Sequence, residues 1–573
     1  MTKILLLNIP SGPAPTDFPP VASLRVIEGI DPKLNTTATF INLDYDRLSF
    51  EQLKVEIAKF SADIIGISAI LTPAYKYVKE LSIFLKANFP GAVQVLGGEM
   101  AVIANILLHK TKIDFCVIGE AQPTFSQLIA QLQRVGFDLG DKGPFKEIKE
   151  IAFMLDGNAH FTGYDQAKRP ELLQMNYELL KKFTNIDQYM QSVDGQFYRG
   201  RINKNHIQKF FSGFLPGNVA KKMVSIFASQ GCVGTCTYCH RYFKGYQTIE
   251  PEHVIKSIEE LDARYGAGLI QFLEENFGSD KAATKPILAC LARKKLNWMA
   301  SSVRAKTITE ETIREWKASG CVHLGFGIES CSAKILKVME KRMTVEDNLN
   351  AIRLCAKYDI FSMIGLVIGM PGETEETIQE TIDALSTALP ETVGGPYEIS
   401  PQWFQAIPGT PGYEFARLAG RIGPSLDDEE QYILGLYEIN ANDMRHYLNF
   451  TDYAKEDIAY WKDYIFLELM AAYIRKHGLL NVLKASKAPR FRYAAIYMLL
   501  PRFLRRRLLK YFAIIRYFSL GALFRFLLVG QFAKREDRFS KIDESLRVLL
   551  RTQALPPRED DKSTYPLRSS MLV

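Results

Sequence analysis

Ser229-Gln-Gly-Cys-Val-Gly-Thr-Cys-Thr-Tyr-Cys-His240 carries three cysteines, Cys232, Cys236 and Cys239, at the spacing C-x3-C-x2-C. Thiolates this close in sequence can wrap a single metal centre. An iron–sulfur cubane is normally held by four of them. A four-iron cluster on this run therefore keeps one iron without a protein ligand, open to a substrate or cofactor. Two plainer readings compete. Zinc usually takes four protein ligands from two spaced pairs. His240 abuts the run, but no second pair follows: Cys290, Cys321, Cys331 and Cys355 stand singly. Those four, with Cys116, read as small core residues.

The run follows a strand-like segment at 223–228, and Pro251–Tyr265 has the apolar spacing of an amphipathic helix. Five more strands are expected downstream. Residues 269–273 end in Glu274-Glu275-Asn276, Asn297–Val303 ends at Arg304, and 323–328 end at Glu329-Ser330. Phe361–Ile368 runs into Gly369-Met-Pro-Gly-Glu373, and 398–406 precede Pro408-Gly-Thr-Pro411. Six strand–helix repeats predict a partial parallel (βα)6 barrel over residues 223–411. In barrels the loops after the strands carry the active site, and each of these motifs lies on such a loop.

The cysteine spacing and the motifs that follow it in order resemble the radical SAM superfamily. The resemblance implies that Cys232, Cys236 and Cys239 ligate a 4Fe–4S cluster, with S-adenosylmethionine on the open iron. It implies that Glu274 or Glu275 contacts the amine of that molecule, since a carboxylate accepts charge-assisted hydrogen bonds from an ammonium. The family more often shows Gly-Gly-Glu or two aspartates at that point. Glu329 and Ser330 match its Gly-Ile-Glu-Ser, which contacts the ribose or the methionine part; the same pair would also serve as a helix N-cap. Tyr238 is expected beside the adenine, or as core filler. Gly365 and Gly369 let the backbone approach a flat base, or relieve packing, and Arg304 joins this cofactor-binding set. The implied chemistry is reductive cleavage to a 5′-deoxyadenosyl radical that takes hydrogen from an unactivated carbon. The implied partner is an external electron donor of the flavodoxin or ferredoxin type.

Residues 1–135 alternate short strands (3–8, 37–43, 64–68, 93–96, 115–118) with helical segments at 50–60 and 74–87. Glycines at strand ends argue for a doubly wound parallel sheet, whose ligands sit at the strand carboxyl ends. Ala62-Asp-Ile-Ile-Gly-Ile-Ser68 with Thr72 and Tyr75, Leu96-Gly97-Gly98-Glu99, and Asp114-Phe-Cys-Val-Ile-Gly119-Glu120 with Pro123-Thr124 together resemble the cobalamin-binding domain of one radical SAM subgroup. That resemblance implies cobalamin held by Ser68, Thr72, Gly97, Gly98, Glu99, Gly119 and Glu120. The Asp-x-His-x-x-Gly signature for a lower cobalt ligand is absent; His109, the only histidine of this region, reads as a helix surface residue.

The remaining chain divides into a linker or insertion at 136–222, a mostly α-helical C-terminal domain at 412–555, and a polar, disordered tail at 556–573. Asp156-Gly-Asn reads as a hairpin turn between 151–155 and 159–161. Residues 194–220 read equally as linker or substrate-facing insertion. Helices are expected at 413–419, 427–436 and 452–477. At 573 residues with 47% hydrophobic content the chain can bury several cores. Its net charge of +7 is uneven: residues 469–535 hold fifteen Lys and Arg and no acid, so the rest sums to 7 − 15 = −8. In 491–532 arginines interleave with Leu and Phe, and no uncharged run exceeds about ten residues, too few to span a bilayer. Such a segment fits an amphipathic helix on an anionic membrane surface or a cap on the barrel. Nucleic acid is not expected, because phosphate binding needs charge rather than Leu-Leu-Val. The N-terminus runs from Met1 straight into a strand, without the pattern of a secretory signal. Without a paired-cysteine framework the expected setting is reducing and cytoplasmic.

Together the two resemblances imply cobalamin-dependent C-methylation of an unactivated carbon, on a lipid or other hydrophobic substrate. A radical oxidation or ring closure without methyl transfer is the second reading, and a non-catalytic iron–sulfur regulatory protein the third.

Overall fold

Short runs of β-branched residues pair in parallel at the N-terminus because amphipathic helices lie between them and carry the chain back across the sheet. The computed structural model describes residues 1–552 except 13–14, 17–18, 70–73, 120, 165–175, 191–220, 241–244, 392–396, 437–440, 442–443, 445–446, 486–488 and 530–537. Strands β1 (Thr2–Asn8), β2 (Thr36–Asn42), β3 (Ile64–Ser68), β4 (Val93–Gly97) and β5 (Phe115–Val117) form a parallel sheet in the order β2-β1-β3-β4-β5. On β1, Ile4 and Leu6 enter one core while Leu5 and Leu7 enter another, so both faces are covered.

Beyond β5 the sheet continues antiparallel with β6 (Ile151–Leu155) and β7 (Asn158–Phe161). Asp156 (φ 49°) and Gly157 (φ 77°) make the expected tight turn. Sequence assigns this hairpin to the 136–222 segment; its rings carry it into the first sheet instead. Phe153 packs on Phe115 at 5.7 Å, and Phe145 on Phe115 at 4.8 Å between ring centroids. Residues 194–220 and 556–573, expected as linker or insertion and as tail, lie outside the described residues.

Strand β8 (Lys222–Ile226) leads into a small antiparallel clasp of β9 (Ser229–Gly231) and β10 (Tyr246–Thr248). It also opens the second sheet. There β8 is followed by β11 (Ala267–Phe272), β12 (Asn297–Val303), β13 (Cys321–Glu329), β14 (Phe361–Ile368) and β15 (Tyr397–Trp403), all parallel in that order. Helices such as Pro251–Tyr265 and Lys281–Lys294 connect them, giving the open (βα)6 barrel that the repeats predict.

After the barrel the described chain is helical. Helix Leu426–Leu434 ties to the first domain: Glu430 accepts from Tyr75 Oη at 2.5 Å and pairs with Lys79 at 2.7 Å. The expected helix at 452–477 is regular only from Trp461 to His477, after a short turn at Lys455–Ile458. Asp452 is used elsewhere. Its carboxylate accepts the backbone N–H groups of Arg538, Phe539 and Ser540 at 2.9, 2.6 and 2.7 Å. That bond set returns the end of the chain to the barrel, where helix Leu546–Thr552 packs on Pro411–Leu418.

Candidate functional site

The cysteine run is irregular, and backbone bonds from several elements fix it. Gly231, at φ 76°, turns the chain out of β9. Cys232 N donates to Gly245 O at 2.9 Å, Thr237 N to Met339 O at 2.8 Å, and Gly412 N to Thr237 O at 2.8 Å. From the far end of the chain, Arg547 Nη2 donates to Thr235 O at 3.1 Å. Cys236 is buried, Cys232 partly buried and Cys239 exposed. Gly234 N donates to Cys232 Sγ at 3.3 Å. Cys239 lies within electrostatic reach of Cys236, Cys232, Glu275 and Lys341. Among the described residues no three His, Cys, Asp or Glu side chains gather tightly around one ion position. A cubane takes one thiolate per iron, so its ligands need not converge on a point, and this donor set fits it.

Beside the run lies a cation that sequence reasoning missed. Lys341 is buried; its Nζ pairs with Glu329 Oε1 at 3.0 Å and donates to Tyr238 Oη at 3.1 Å. Burial pulls the Lys341 pKa down, but the Glu329 charge and then Cys236 outweigh it, and the net direction is up. Tyr238 moves up as well, through burial and then Glu329. Arg304 completes the group: Nη2 donates to Lys341 O at 2.8 Å, and a Cβ on Gly234 would stand 2.5 Å from its Nη1. Glu329 holds φ 64°, a left-handed conformation uncommon for a non-glycine residue. In sequence Lys341 sits among Lys337, Lys334 and Arg342 and reads as part of a solvated helix face; only the turn after Met339 brings it inward.

The remaining predicted residues divide. Glu274 is buried; one oxygen accepts from Ala228 N at 3.3 Å, and Oε2 has no hydrogen-bond partner among the described residues. Burial pushes its carboxyl up to about 8. Glu275 is exposed, near Cys239. Ser330 Oγ accepts from Ser332 N at 3.1 Å and meets Thr381 Oγ1 at 3.2 Å; the N-cap position belongs to Ser332. Gly365 lies on β14, where a Cβ would meet Phe326 O at 3.4 Å. Gly369 has φ 85° and its carbonyl accepts from Tyr447 Oη at 2.6 Å, which leaves no room for a side chain. Its N–H and that of Met370 are held by buried Glu373, whose carboxyl burial pushes up to about 8.

In the first domain a mostly apolar pocket, with about 100 Å³ of cavity volume, opens at the carboxyl ends of β1, β3 and β4. Its walls include Leu6, Ser68, Val95 and Phe125, and its floor includes Gly97 and Gly98. Gly98, at φ 92°, is required by the turn, where a Cβ would stand 2.5 Å from Ala69 O. Gly97 has no atom within 4 Å of where its Cβ would be, so the gap there is a cradle that any side chain would fill. Volume does not carry the fit; the Gly97 cradle in a mostly apolar lining is what fits an organic cofactor lying against the strand ends. Burial pushes the Glu99 carboxyl up. Gly119 has φ 96°, and a Cβ there would stand 3.4 Å from the Glu150 carboxylate; Thr72 and Glu120 lie outside the described residues. His109 bonds Asn105 O of its own helix at 2.8 Å. The pocket reaches the barrel: Gln230, two residues before Cys232, is part of its wall.

Comparisons with known proteins agree with this geometry. Residues 226–385 match the radical SAM superfamily and residues 30–129 the B12 binding domain. An uncharacterized methyltransferase of Pyrococcus horikoshii is 26% identical over 347 residues, 58% of this chain and 66% of its own. The anaerobic magnesium-protoporphyrin IX monomethyl ester cyclase of Cereibacter sphaeroides is 25% identical over 352 residues, 60% of this chain and 52% of its own. The chain thus spans about half to two thirds of the length of these relatives. The solved structure of TsrM, a radical S-adenosylmethionine methyltransferase from Kitasatospora setae, shares the fold. It superposes with a TM-score of 0.56 at 18% identity, over 74% of this chain and 78% of that one. A 4Fe–4S cluster and S-adenosylmethionine go with the barrel, and cobalamin with the sheet before it. Residues 30–129 thus match a B12 binding domain and residues 226–385 a radical SAM domain, in the order in which the sequence resemblances place them.

Proposed function

We propose that this chain is a cobalamin-dependent radical SAM methyltransferase acting on an unactivated carbon of a hydrophobic substrate. One observation supports the reading: the pocket lined by Gly97 and Gly98 and the cysteine run share Gln230, so cofactors bound at the two would adjoin. When bound, the cluster and S-adenosylmethionine supply a radical hydrogen abstraction, and cobalamin supplies the methyl group. The protein supplies position and dryness.

Cys232, Cys236 and Cys239 are the proposed cluster ligands. Glu275, exposed near Cys239, and Glu274, whose Oε2 has no hydrogen-bond partner among the described residues, are the proposed contacts of the ammonium. Lys341 holds Glu329 and Tyr238 in place on one side of the run, and Arg304 holds the Lys341 backbone. Val102 of the first domain packs where Gly409 and His240 meet, so the two domains touch beside the cysteines. An external flavodoxin or ferredoxin is the proposed electron source.

The similarity to a cyclase supports a second reading, radical oxidation or ring closure without methyl transfer. Anaerobic reconstitution with iron, sulfide, cobalamin, S-adenosylmethionine and a strong reductant separates them. The methyltransferase releases S-adenosylhomocysteine together with 5′-deoxyadenosine. 5′-Deoxyadenosine alone moves the assignment to oxidation or cyclisation. An intact cluster that turns over neither product leaves the regulatory reading.

A further inference from the structure

Residues 479–528 hold twelve of the eighteen large apolar side chains that are exposed among the described residues. Helix Leu520–Val529 shows how this arises. Ala522 and Phe526 are buried against Ile514 of the preceding helix, with Tyr511 and Phe526 rings 5.7 Å apart. On the opposite side Leu520, Phe524, Leu527 and Leu528 recur at i, i+4, i+7 and i+8, exposed at 62, 64, 51 and 85%. A helix apolar all round is normally buried; this one is covered on one side only. Leu499 and Phe503 on the two preceding helices are exposed as well.

The cations of this segment fall into two sets. Arg505 pairs with Glu468 at 3.8 Å, Arg506 with Glu375 at 3.7 Å, Arg516 with Asp463 at 3.9 Å, and Lys510 with Asp457. These fasten the helices inward, three to the C-terminal helices Lys455–Ile458 and Trp461–His477 and one to the barrel helix Glu375–Thr387, in line with the cap role that sequence offers as the alternative to a membrane role. Lys484, Arg492, Arg507 and Arg525 are exposed, in a stretch that contains no acid. The outer surface is therefore apolar and cationic at once.

We infer that this face docks on an anionic lipid bilayer surface, with Phe524, Leu527 and Leu528 entering the acyl boundary. Charge complementarity decides the occupant. A second copy joined by two-fold symmetry would set these cations against themselves, whereas anionic headgroups neutralise them and acyl chains take the apolar side chains. No helix of the described residues is long and apolar enough to cross a membrane, so the contact is interfacial.

The test is flotation of the full chain with vesicles of phosphatidylcholine alone or mixed with phosphatidylglycerol, at low and high salt. Binding is expected only to the mixed vesicles and is expected to weaken with salt. F524S/L528S is expected to lose binding at least about tenfold, and R492Q/R525Q to lose the preference for phosphatidylglycerol. Because these side chains are already in solvent, unchanged circular dichroism melting verifies the fold. Absence of flotation, or flotation unaffected by F524S/L528S, overturns the inference. So does a wild-type dimer in sedimentation velocity that F524S/L528S turns into monomer, since a second copy then covers the face. None of these readouts depends on catalysis.

Discussion

Replacing Lys341 with Met tests whether the cluster of Lys341, Glu329 and Tyr238 is a preorganised part of the barrel. The paired side chains are 9% and 11% exposed at 3.0 Å. At an effective dielectric of about 20 their attraction is roughly 5 kcal/mol, much of it offset by the cost of taking two charges out of water. Removing one partner forfeits the attraction and leaves Glu329 buried with its charge. Breaking a buried pair in this way costs about 3–5 kcal/mol. Glu329 makes the cost hard to relieve by movement, since it ends β13 at φ 64°. The assay is anaerobic urea unfolding of the full chain, followed by the fluorescence of Trp298 and Trp316, which are packed 5.5 Å apart in the barrel. K341M is expected to lose about 3–5 kcal/mol from the barrel transition, and E329Q a comparable amount. The double variant K341M/E329Q is expected to lose less than the sum, with a coupling of about 1–3 kcal/mol. Strictly additive losses, or a K341M loss below about 1 kcal/mol, the value of a solvated pair, would refute the reasoning.

Other consequences are equally direct. Gly97→Phe should fill the pocket while leaving the fold intact, because its Cβ points to open space; cobalamin titrated by absorbance should then bind at least about tenfold more weakly, and unchanged binding would move the cofactor elsewhere. Glu274 has a folded-state value of about 8 against an ordinary 4.5, because burial disfavours the charge. Folding therefore takes up a proton between these values, and stability falls as pH rises from about 4.5 to 8. Glu274→Gln should flatten part of that decline in urea midpoints at pH 5 and 8, while Glu373 retains the same sign; identical slopes would contradict the assignment. Tyr447→Phe removes the bond to Gly369 O at 2.6 Å and should cost about 1–3 kcal/mol, read as a lower melting temperature. Arg547→Ala should loosen the cysteine run through the lost bond to Thr235 O; iron retained after reconstitution and gel filtration should fall, and wild-type retention would show that the chain end only caps the barrel.

Much of the fold was legible because its signals are local. Six barrel strands and the five parallel strands of the first sheet follow from short apolar, β-branched runs set between helical segments, whereas the order β2-β1-β3-β4-β5 is seen only in the structure. The Asp156-Gly157 turn was equally plain. The hairpin's membership of the first sheet was not, since it depends on Phe153 meeting Phe115 and Phe145. At the site, the three cysteines announced themselves by spacing, and Ser68, Gly97 and Gly98 by the strand ends they occupy. Glu274 and Glu275 were indistinguishable as a sequence pair; burial of one and exposure of the other separates them. Lys341 and Arg547 gave no signal, because each acts through partners 12 and 312 positions away.

The sequence by itself determined the order of the elements, the thiol run and the uneven charge, all of which are written in spacing and composition. Tertiary structure alone decided which charges face inward. Arg505 and Arg506 look like Arg492 and Arg525 in sequence, yet the first two meet Glu468 and Glu375 while the others stay in water. Long-range pairing of charges depends on where packed helices bring them, and burial sets how strongly each pair interacts.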